Sequence, residues 1–258
     1  VSTSLIAFRQ LLAGRAATDV VDVAAGHSVG EFAAAAVAGV FEDASAVSLV
    51  SARASFMAQA AAENPSGMTA ILGGDPDEVL AAITAAGAWP ANLNGAGQVV
   101  AAGTHEALAA LAANPPAKAR VIPLQVAGAF HTPLMDSAAN AFASGAAEWS
   151  ANDPSVALLS NADGSALSSQ QPGAHGFGSK SDVLQRLASQ IVSPVRWDLC
   201  QEQFATLGVT AIIELAPGGV LAGLARRTLP DVARVAIKSP DDLAAAQQLI
   251  AEHSVGAA

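Results

Sequence analysis

Short apolar runs alternate with longer stretches of helical spacing along the chain, the pattern of an α/β fold with parallel strands. Ser4 to Leu12 is predicted as a helix, Val20-Val21-Asp22-Val23-Ala24-Ala25 as a buried strand running into Gly26, and Glu31 to Ala38 as the helix leaving Gly30. Asp43 offers an N-cap for a long helix over Ala44 to Ala62, whose Val47, Val50, Ala54 and Met57 are spaced to face a core. Arg53 lies on that helix. Later in the chain, Ala138 to Trp149 reads as a helix and Val156 to Ser160 as a short strand. Gly164 to Gly178, rich in Ser, Gln and Gly, reads as a loop. Helices follow at Asp182 to Val192, stopped by Pro194, and at Trp197 to Leu207. Ala211 to Leu215 is a buried strand leading through Ala216-Pro217-Gly218-Gly219 into a helix that ends at Thr228. A strand at Arg234 to Ile237 and a helix from Asp241 to His253 close the pattern.

From Gly67 to Leu124 the texture differs. Met68 to Leu72 reads as a strand, and Pro76 to Ala86 as a helix with proline in its first turn. Trp89 to Leu93 and Val99 to Ala102 form a strand pair joined through Asn94-Gly95-Ala96-Gly97. His105 to Ala113 is a helix and Arg120 to Leu124 a strand. The order β-α-β-β-α-β is the ferredoxin-like signature. The expected organisation is a core of residues 1–63 and 128–258 with an inserted small lobe of residues 64–127. Such an insertion makes a cleft, and clefts between lobes are common ligand sites.

The composition narrows the class. Hydrophobic residues make up 52% of the 258, but alanine supplies most of the excess. The most apolar run, Phe32 to Phe41, is bounded by Glu31 and Glu42 and falls far short of the ~20 residues of a membrane span. No basic stretch followed by an apolar core opens the chain, and the one cysteine, Cys200, allows no internal disulfide. A cytoplasmic protein that binds no membrane is expected. A net charge of -10 argues against a nucleic-acid binder.

Chemistry concentrates at Gly26-His27-Ser28-Val29-Gly30, a G-x-S-x-G placed between a strand and a helix. Small residues on either side of the serine let strand and helix approach closely, so the hydroxyl stands exposed while the helix N-terminus points donors at it. A tight turn without chemistry is the bland alternative. The expected fold is an α/β-hydrolase-like core with a parallel sheet.

A serine nucleophile needs a base, and the chain has five histidines. His27 adjoins the serine, but its side chain should leave the turn in another direction. His105 starts a lobe helix, His175 sits in the Gly164 to Gly178 loop, and His253 lies near the chain's end. His131, in Gly128-Ala129-Phe130-His131-Thr132-Pro133, stands where the chain returns from the small lobe, and hence at the cleft. Because His253, on a polar terminal helix, is the one histidine beyond position 200, an ordinary esterase with the order Ser, Asp, His is disfavoured.

These residues together carry a resemblance. Gly26-His27-Ser28-Val29-Gly30-Glu31, Arg53 within Ser51-Ala52-Arg53-Ala54-Ser55-Phe56-Met57, Asn92-Leu93-Asn94-Gly95-Ala96-Gly97-Gln98, and Gly128-Ala129-Phe130-His131 occur in order. So do Gln190 before Ser193-Pro194-Val195-Arg196-Trp197, and Glu214-Leu215-Ala216-Pro217-Gly218-Gly219-Val220-Leu221. Across nearly the whole chain the pattern resembles the malonyl-CoA:acyl carrier protein transacylases and the acyltransferase domains of polyketide and fatty-acid synthases.

The resemblance implies that Ser28 attacks the thioester of malonyl-CoA while His131 takes its proton. It also implies that a carbonyl at Gln190 holds the imidazole, although a residue capping a helix end against solvent fits the sequence equally well. Arg53 would bind the malonyl carboxylate through paired charge-assisted hydrogen bonds, where the bland alternative is an exposed arginine. Phe130 would size the pocket for malonyl, Val29 would give its amide to the oxyanion, and His27, Asn92 and Asn94 would line the cleft with Gln98. Met57 and Val220 are expected in the core.

The family's Gly-Gln-Gly-Ser-Gln type loop, which supplies the other oxyanion donor, does not occur in the 258 residues, so an N-terminally truncated chain is expected. The implied partner is acyl carrier protein, received by a basic rim drawn from Lys118, Arg120, Lys180, Arg186, Arg226 and Arg227. A monomer is expected. No metal or cofactor is expected, because the histidines and carboxylates show no ligand spacing. A discrete transacylase of fatty-acid synthesis, a polyketide synthase acyltransferase domain and a non-catalytic scaffold remain the three readings.

Overall fold

The computed structural model describes residues 1–146, 148–168 and 178–254. His175 and most of the expected Gly164 to Gly178 loop lie outside the described residues. Helix α1 spans Ser2–Leu12, and a turn at Ala17–Asp19 follows. That turn draws in Val20 and Val21, whose N–H groups both donate to Ala17 O, so β1 is reduced to Val23–Ala24. Helices α2 (Gly30–Val37) and α3 (Asp43–Glu63) come next. Asp43 is not the expected N-cap: Glu42 occupies that position, and Asp43 is held in the first turn by Arg9 at 2.5 Å.

The buried stripe of α3 is Ala46, Leu49, Arg53, Met57 and Ala60, about one residue out of phase with the predicted face. Ala54 is exposed in consequence, and Arg53 points inward. The phase is set by α2 and by the later helix Asp136–Ala146, against which α3 packs.

The small lobe runs β2 (Ser66–Gly73), α4 (Pro76–Ala85), β3 (Trp89–Gly95), β4 (Gln98–Thr104), α5 (His105–Ala113) and β5 (Ala119–Pro123). Its strands pair antiparallel in the order β5-β2-β4-β3, with Ile71, Ile83 and Leu111 buried between sheet and helices. The hairpin turn narrows to Ala96-Gly97, both at positive φ.

Helix α6 (Asp136–Ala146) returns to the larger part, followed by β6 (Ala157–Leu159), β7 (Ala166–Leu167), α7 (Lys180–Ser189) and β8 (Val195–Arg196). The chain then runs α8 (Trp197–Thr206), β9 (Ala211–Glu214), α9 (Val220–Thr228), β10 (Ala233–Ala236) and α10 (Leu243–His253). Among the described residues parallel pairing is present, but in three ladders spread over three sheets rather than in the one expected sheet. β1 pairs β6, which β7 extends antiparallel, and β9 pairs β10 alone. β8 instead joins the small lobe's sheet, pairing parallel with β3 at Asn92 and Leu93. The main core gathers α1, α2, α3, α6 and α7 around Phe32 and Phe142, which meet edge to face at 5.8 Å. Val220 does not belong to any core: it is 73% exposed at the start of α9, where Glu214 caps the helix through the N–H groups of Gly219, Leu221 and Ala222.

Candidate active site

Ser28 occupies the bend between β1 and α2 with φ of 51°, in the left-handed region that costs a non-glycine residue about 1 kcal/mol or more. Gly26 makes the bend possible. A Cβ there would fall 2.1 Å from the carbonyl carbon of Gly30. Gly30 does not share the role expected of it, because a Cβ at that position meets nothing within 4 Å.

His131 is also left-handed, with φ of 63°. Its Nε2 lies 2.7 Å from Ser28 Oγ, and its Nδ1 lies 2.7 Å from the Gln190 carbonyl oxygen. A carbonyl only accepts, so Nδ1 carries the proton and Nε2 is the acceptor for the Ser28 hydroxyl. Burial pushes the imidazole down to about 4, aided by Arg53 and His27, while the bond to the Gln190 carbonyl opposes the shift. It is a neutral base at pH 7.

The Gln190 carbonyl is available because α7 ends at Ser189, short of the predicted Val192. Ile191 and Val192 continue in i→i−3 turns, and Ile191 O accepts the His131 N–H at 3.2 Å. Gln190 does stand at the helix end, but it is buried at 4% exposure and does not cap against solvent. Its side chain donates to Ser28 O at 3.0 Å and to Glu31 Oε2. Its Oε1 accepts from Arg53 Nη2 at 2.9 Å.

Arg53 is 5% exposed, and its Nη2 also donates to Ser28 Oγ at 3.2 Å. The guanidinium lies 5.8 Å over the Phe32 ring, and burial lowers it to about 10 against the upward pull of Glu31. Among the described residues its Nε is buried without a partner. A buried charged donor left unpaired is costly, and a carboxylate arriving from solution would satisfy it.

Two residues that the sequence reading did not single out fasten this arrangement. Asn161, after β6, donates from Nδ2 to Gly26 O at 2.8 Å and accepts the Ser28 N–H at 2.7 Å through Oδ1. Glu31 accepts the Asn161 N–H at 3.0 Å, and burial raises its carboxyl to about 7. Glu31 closes the motif that carries the resemblance but was given no role, since an acid in a first helical turn is ordinary, and Asn161 is remote in sequence.

The remaining predicted residues divide. His27 points away from Ser28, bonding Asn94 Oδ1 at 2.8 Å and meeting the Trp197 ring edge on. Burial lowers its pKa. Asn94 also donates to Gln98 Oε1, and its carbonyl accepts from Gln201 Nε2. Asn92 is buried on β3 between Val100 and Val195. Phe130 is half-buried beside His131, packed on Met68 and its neighbours and on the main core. The Val29 N–H has no acceptor among the described residues, and its side chain is 45% exposed.

Of the expected basic rim, Arg186 turns inward to Asp163 at 2.9 Å and Ser160 at 3.1 Å, since the β6–β7 turn needs a donor there. Lys118 and Arg120 lie exposed along the β5 edge, and Lys180 at the start of α7. Arg226 and Arg227 are exposed just before Thr228, which is tied through Gln201 to Asn94. Among the described residues, no group of three or more His, Cys, Asp or Glu could hold a metal, and no helix is long and apolar enough to cross a membrane.

Residues 11–251 match the model of the family described as the acyl transferase domain. The chain is 45% identical over 254 residues to the malonyl CoA-acyl carrier protein transacylase of Mycolicibacterium smegmatis, covering 96% of this chain and 83% of that one. With the enzyme of the same name from Mycobacterium tuberculosis it shares 48% over 238 residues, 92% of this chain and 74% of the relative. The crystal structure of MCAT from M. tuberculosis superposes with a TM-score of 0.82 at 47% identity, covering 94% of this chain and 75% of that one. A solved type II PKS acyl-carrier protein in complex with its malonyl-transacylase superposes with a TM-score of 0.83 at 28% identity, over 95% and 78% of the two chains. The chain belongs to the acyl transferase domain family, among the malonyl CoA-acyl carrier protein transacylases.

Proposed function

We propose that this chain moves a malonyl group from malonyl-CoA to the phosphopantetheine thiol of acyl carrier protein through a malonyl ester on Ser28. The observation that carries the reading is the single point at Ser28 Oγ where His131 Nε2 at 2.7 Å and Arg53 Nη2 at 3.2 Å converge. Ser28 attacks the thioester carbonyl as its proton passes to His131 Nε2, with Nδ1–H held by the Gln190 carbonyl. The coenzyme thiolate leaves and takes that proton. In the second half-reaction the carrier thiol gives its proton to His131 and attacks the ester, and Ser28 Oγ leaves and takes that proton back, restoring the hydroxyl and the neutral imidazole. The Val29 amide, at the N-terminal end of α2, serves the oxyanion. Arg53 binds the malonyl carboxylate through its guanidinium by charge-assisted hydrogen bonds. Phe130 bounds the acyl pocket, and Asn92, Asn94 and His27 form its wall toward the small lobe.

In this reading residues 1–63 and 128–258 are an α/β-hydrolase-like core, and residues 64–127 are a ferredoxin-like insertion. The protein works in the cytoplasm as a monomer without metal, supplying extender units for fatty-acid synthesis. Arg226 and Arg227, beside the Asn94 end of the site, receive the acidic carrier. Service to a polyketide carrier is the second reading, favoured by the complex that its relative forms with a type II PKS carrier.

Incubation with labelled malonyl-CoA should give an adduct on Ser28, and Arg53→Ala should lower malonyl loading far more than acetyl loading. An adduct elsewhere sinks the mechanism. Equal loss for both acyl groups removes Arg53 from the carboxylate.

A further inference from the structure

The site is fixed from behind by a residue that faces away from the cleft. Glu31 sits in the first turn of α2, where an acid is ordinarily exposed and favoured by the helix dipole, yet it is 3% exposed. Its Oε1 accepts the Asn161 N–H and its Oε2 accepts from Gln190 Nε2. An ionised carboxylate only accepts. The Gln190 carboxamide must therefore turn its NH2 toward Glu31 and Ser28 O, which leaves Oε1 facing Arg53 Nη2. Both polar ends of the Gln190 side chain are then engaged, and Arg53 is held with Nη2 on Ser28 Oγ and Nε unpaired.

We infer that Glu31 is a positioning residue: by holding the Gln190 carboxamide, together with Ser28 O, in the direction that leaves its oxygen for Arg53, it aims Arg53 at the substrate's carboxylate without touching the substrate. The inference rests on the malonyl-transfer reading above. It separates two duties of Gln190. The backbone carbonyl serves His131, while the side chain, under the control of Glu31, serves Arg53.

The charged and titratable groups facing Glu31 are Arg53 from α3, Arg186 from α7 and the Cys200 thiol from α8. Burial places the carboxyl at about 7, with the bonds from Asn161 and Gln190 and the two arginines pulling against that rise. A protonated Glu31 can donate, so the carboxamide NH2 loses one of the two acceptors that hold it, leaving Ser28 O alone to fix its direction and Arg53 less firmly aimed.

Two readouts of Ser28 on the intact protein separate positioning from mere structure. Malonyl loading from labelled malonyl-CoA needs Arg53 aimed correctly, whereas labelling by a fluorophosphonate needs Ser28 and His131 but no carboxylate anchor. Glu31→Gln keeps the shape and removes the charge. It should lower kcat/KM for malonyl loading about 10-fold or more, mostly in KM, with phosphonate labelling changed less than about three-fold. In an Arg53→Ala background the same substitution should add no further loss. In the wild type, the ratio of malonyl loading to phosphonate labelling should fall as pH drops through about 7, and in Glu31→Gln it should stay flat.

Equal losses in both readouts overturn the inference, as does undiminished malonyl loading. Should Glu31→Gln fail to fold, a wild-type ratio that stays flat between about pH 8 and about pH 5.5 overturns it alone. A wild type that accepts the phosphonate but never malonyl overturns the malonyl reading and this inference with it. Normal wild-type loading matched by Glu31→Gln overturns this inference only.

Discussion

Two bends meet at the reaction centre, and they are held by different means. Ser28 and His131 both lie in the left-handed region, with φ of 51° and 63°. The serine's bend is enforced at close quarters: Gly26 packs its bare Cα against the Gly30 carbonyl, and Asn161 bridges Gly26 O and Ser28 N. The histidine's bend is suspended from its neighbours. Ser66, at the start of β2, accepts the Ala129 N–H at 2.9 Å, Thr132 Oγ1 donates to Ala129 O at 2.6 Å, and Ile191 O accepts the His131 N–H. Each strained residue costs on the order of 1–3 kcal/mol, so each needs surroundings that over-determine it. The serine is thus placed by steric exclusion backed by the Asn161 bridge, and the histidine by hydrogen bonds alone.

The sharpest way to break this contrast is at the two glycines of the elbow. Gly26→Ala puts a methyl 2.1 Å from backbone that cannot yield, and should cost about 4 kcal/mol or more, seen as loss of soluble folded protein. Gly30→Ala meets open space and should leave the unfolding midpoint unchanged or slightly raised, since alanine favours the helix by about 1 kcal/mol. Equal damage from both would mean that close packing at Gly26 does not set the bend.

The two sides should also separate in pH. His131 has a folded pKa near 4 against an ordinary 6.5. The unfolded chain therefore binds its proton first, and stability falls as pH drops from about 6.5 toward about 4. Glu31, behind the serine, runs the other way: its folded pKa of about 7 lies above the ordinary 4.5, so stability is full below about 4.5 and lost as pH rises through about 7. Each swing is of the order of 3 kcal/mol. Denaturant unfolding across pH should show Glu31→Gln removing the loss at the neutral end and His131→Gln the loss at the acid end. Variants that track the wild type at every pH would refute the assignment.

The smallest effects concern the tethers. Asn161→Ala removes two bonds at the elbow and strands the Gly26 carbonyl, which should cost about 2–3 kcal/mol and slow phosphonate labelling of Ser28. Ser66→Ala removes one acceptor at the histidine's bend and should cost about 1–2 kcal/mol, again with slower labelling. Stability losses without any change in labelling would make both residues scaffold only.

The parts of this site that the sequence made legible are those with a local signature. A glycine-flanked serine between strand and helix, an arginine on the next helix and a histidine where the chain leaves the small lobe all signal through their immediate neighbours. The resemblance and the apolar neighbours Ala52 and Phe56 pointed Arg53 inward, but the phase of α3 that does so was not legible, because its apolar positions fit two phases and only packing against α2 and α6 selects one. Glu31 and Asn161 escaped for a related reason: their partners are 159 and 135 residues away along the chain, as Gln190 and Gly26. Arg186 misled in the opposite sense, since a cation counted as surface charge is paired with Asp163. Element order in the small lobe was readable from alternation and turn residues. The junction of its sheet with β8 was not, because two residues after a proline give no strand pattern.

That junction has a mechanical consequence. β8 belongs by sequence to the far side of the cleft, yet its backbone is laced to Asn92 and Leu93 in register with the rest of the small lobe's sheet. Opening the lobes like a jaw would tear that ladder and pull Arg196 N from Asn161 O. The two parts are thus tied together beside the site by backbone bonds, at Asn92 and Leu93 on one side and at Asn161 on the other. On the malonyl-transfer reading proposed above, such a tie suits a flexible guest better than a hinging host.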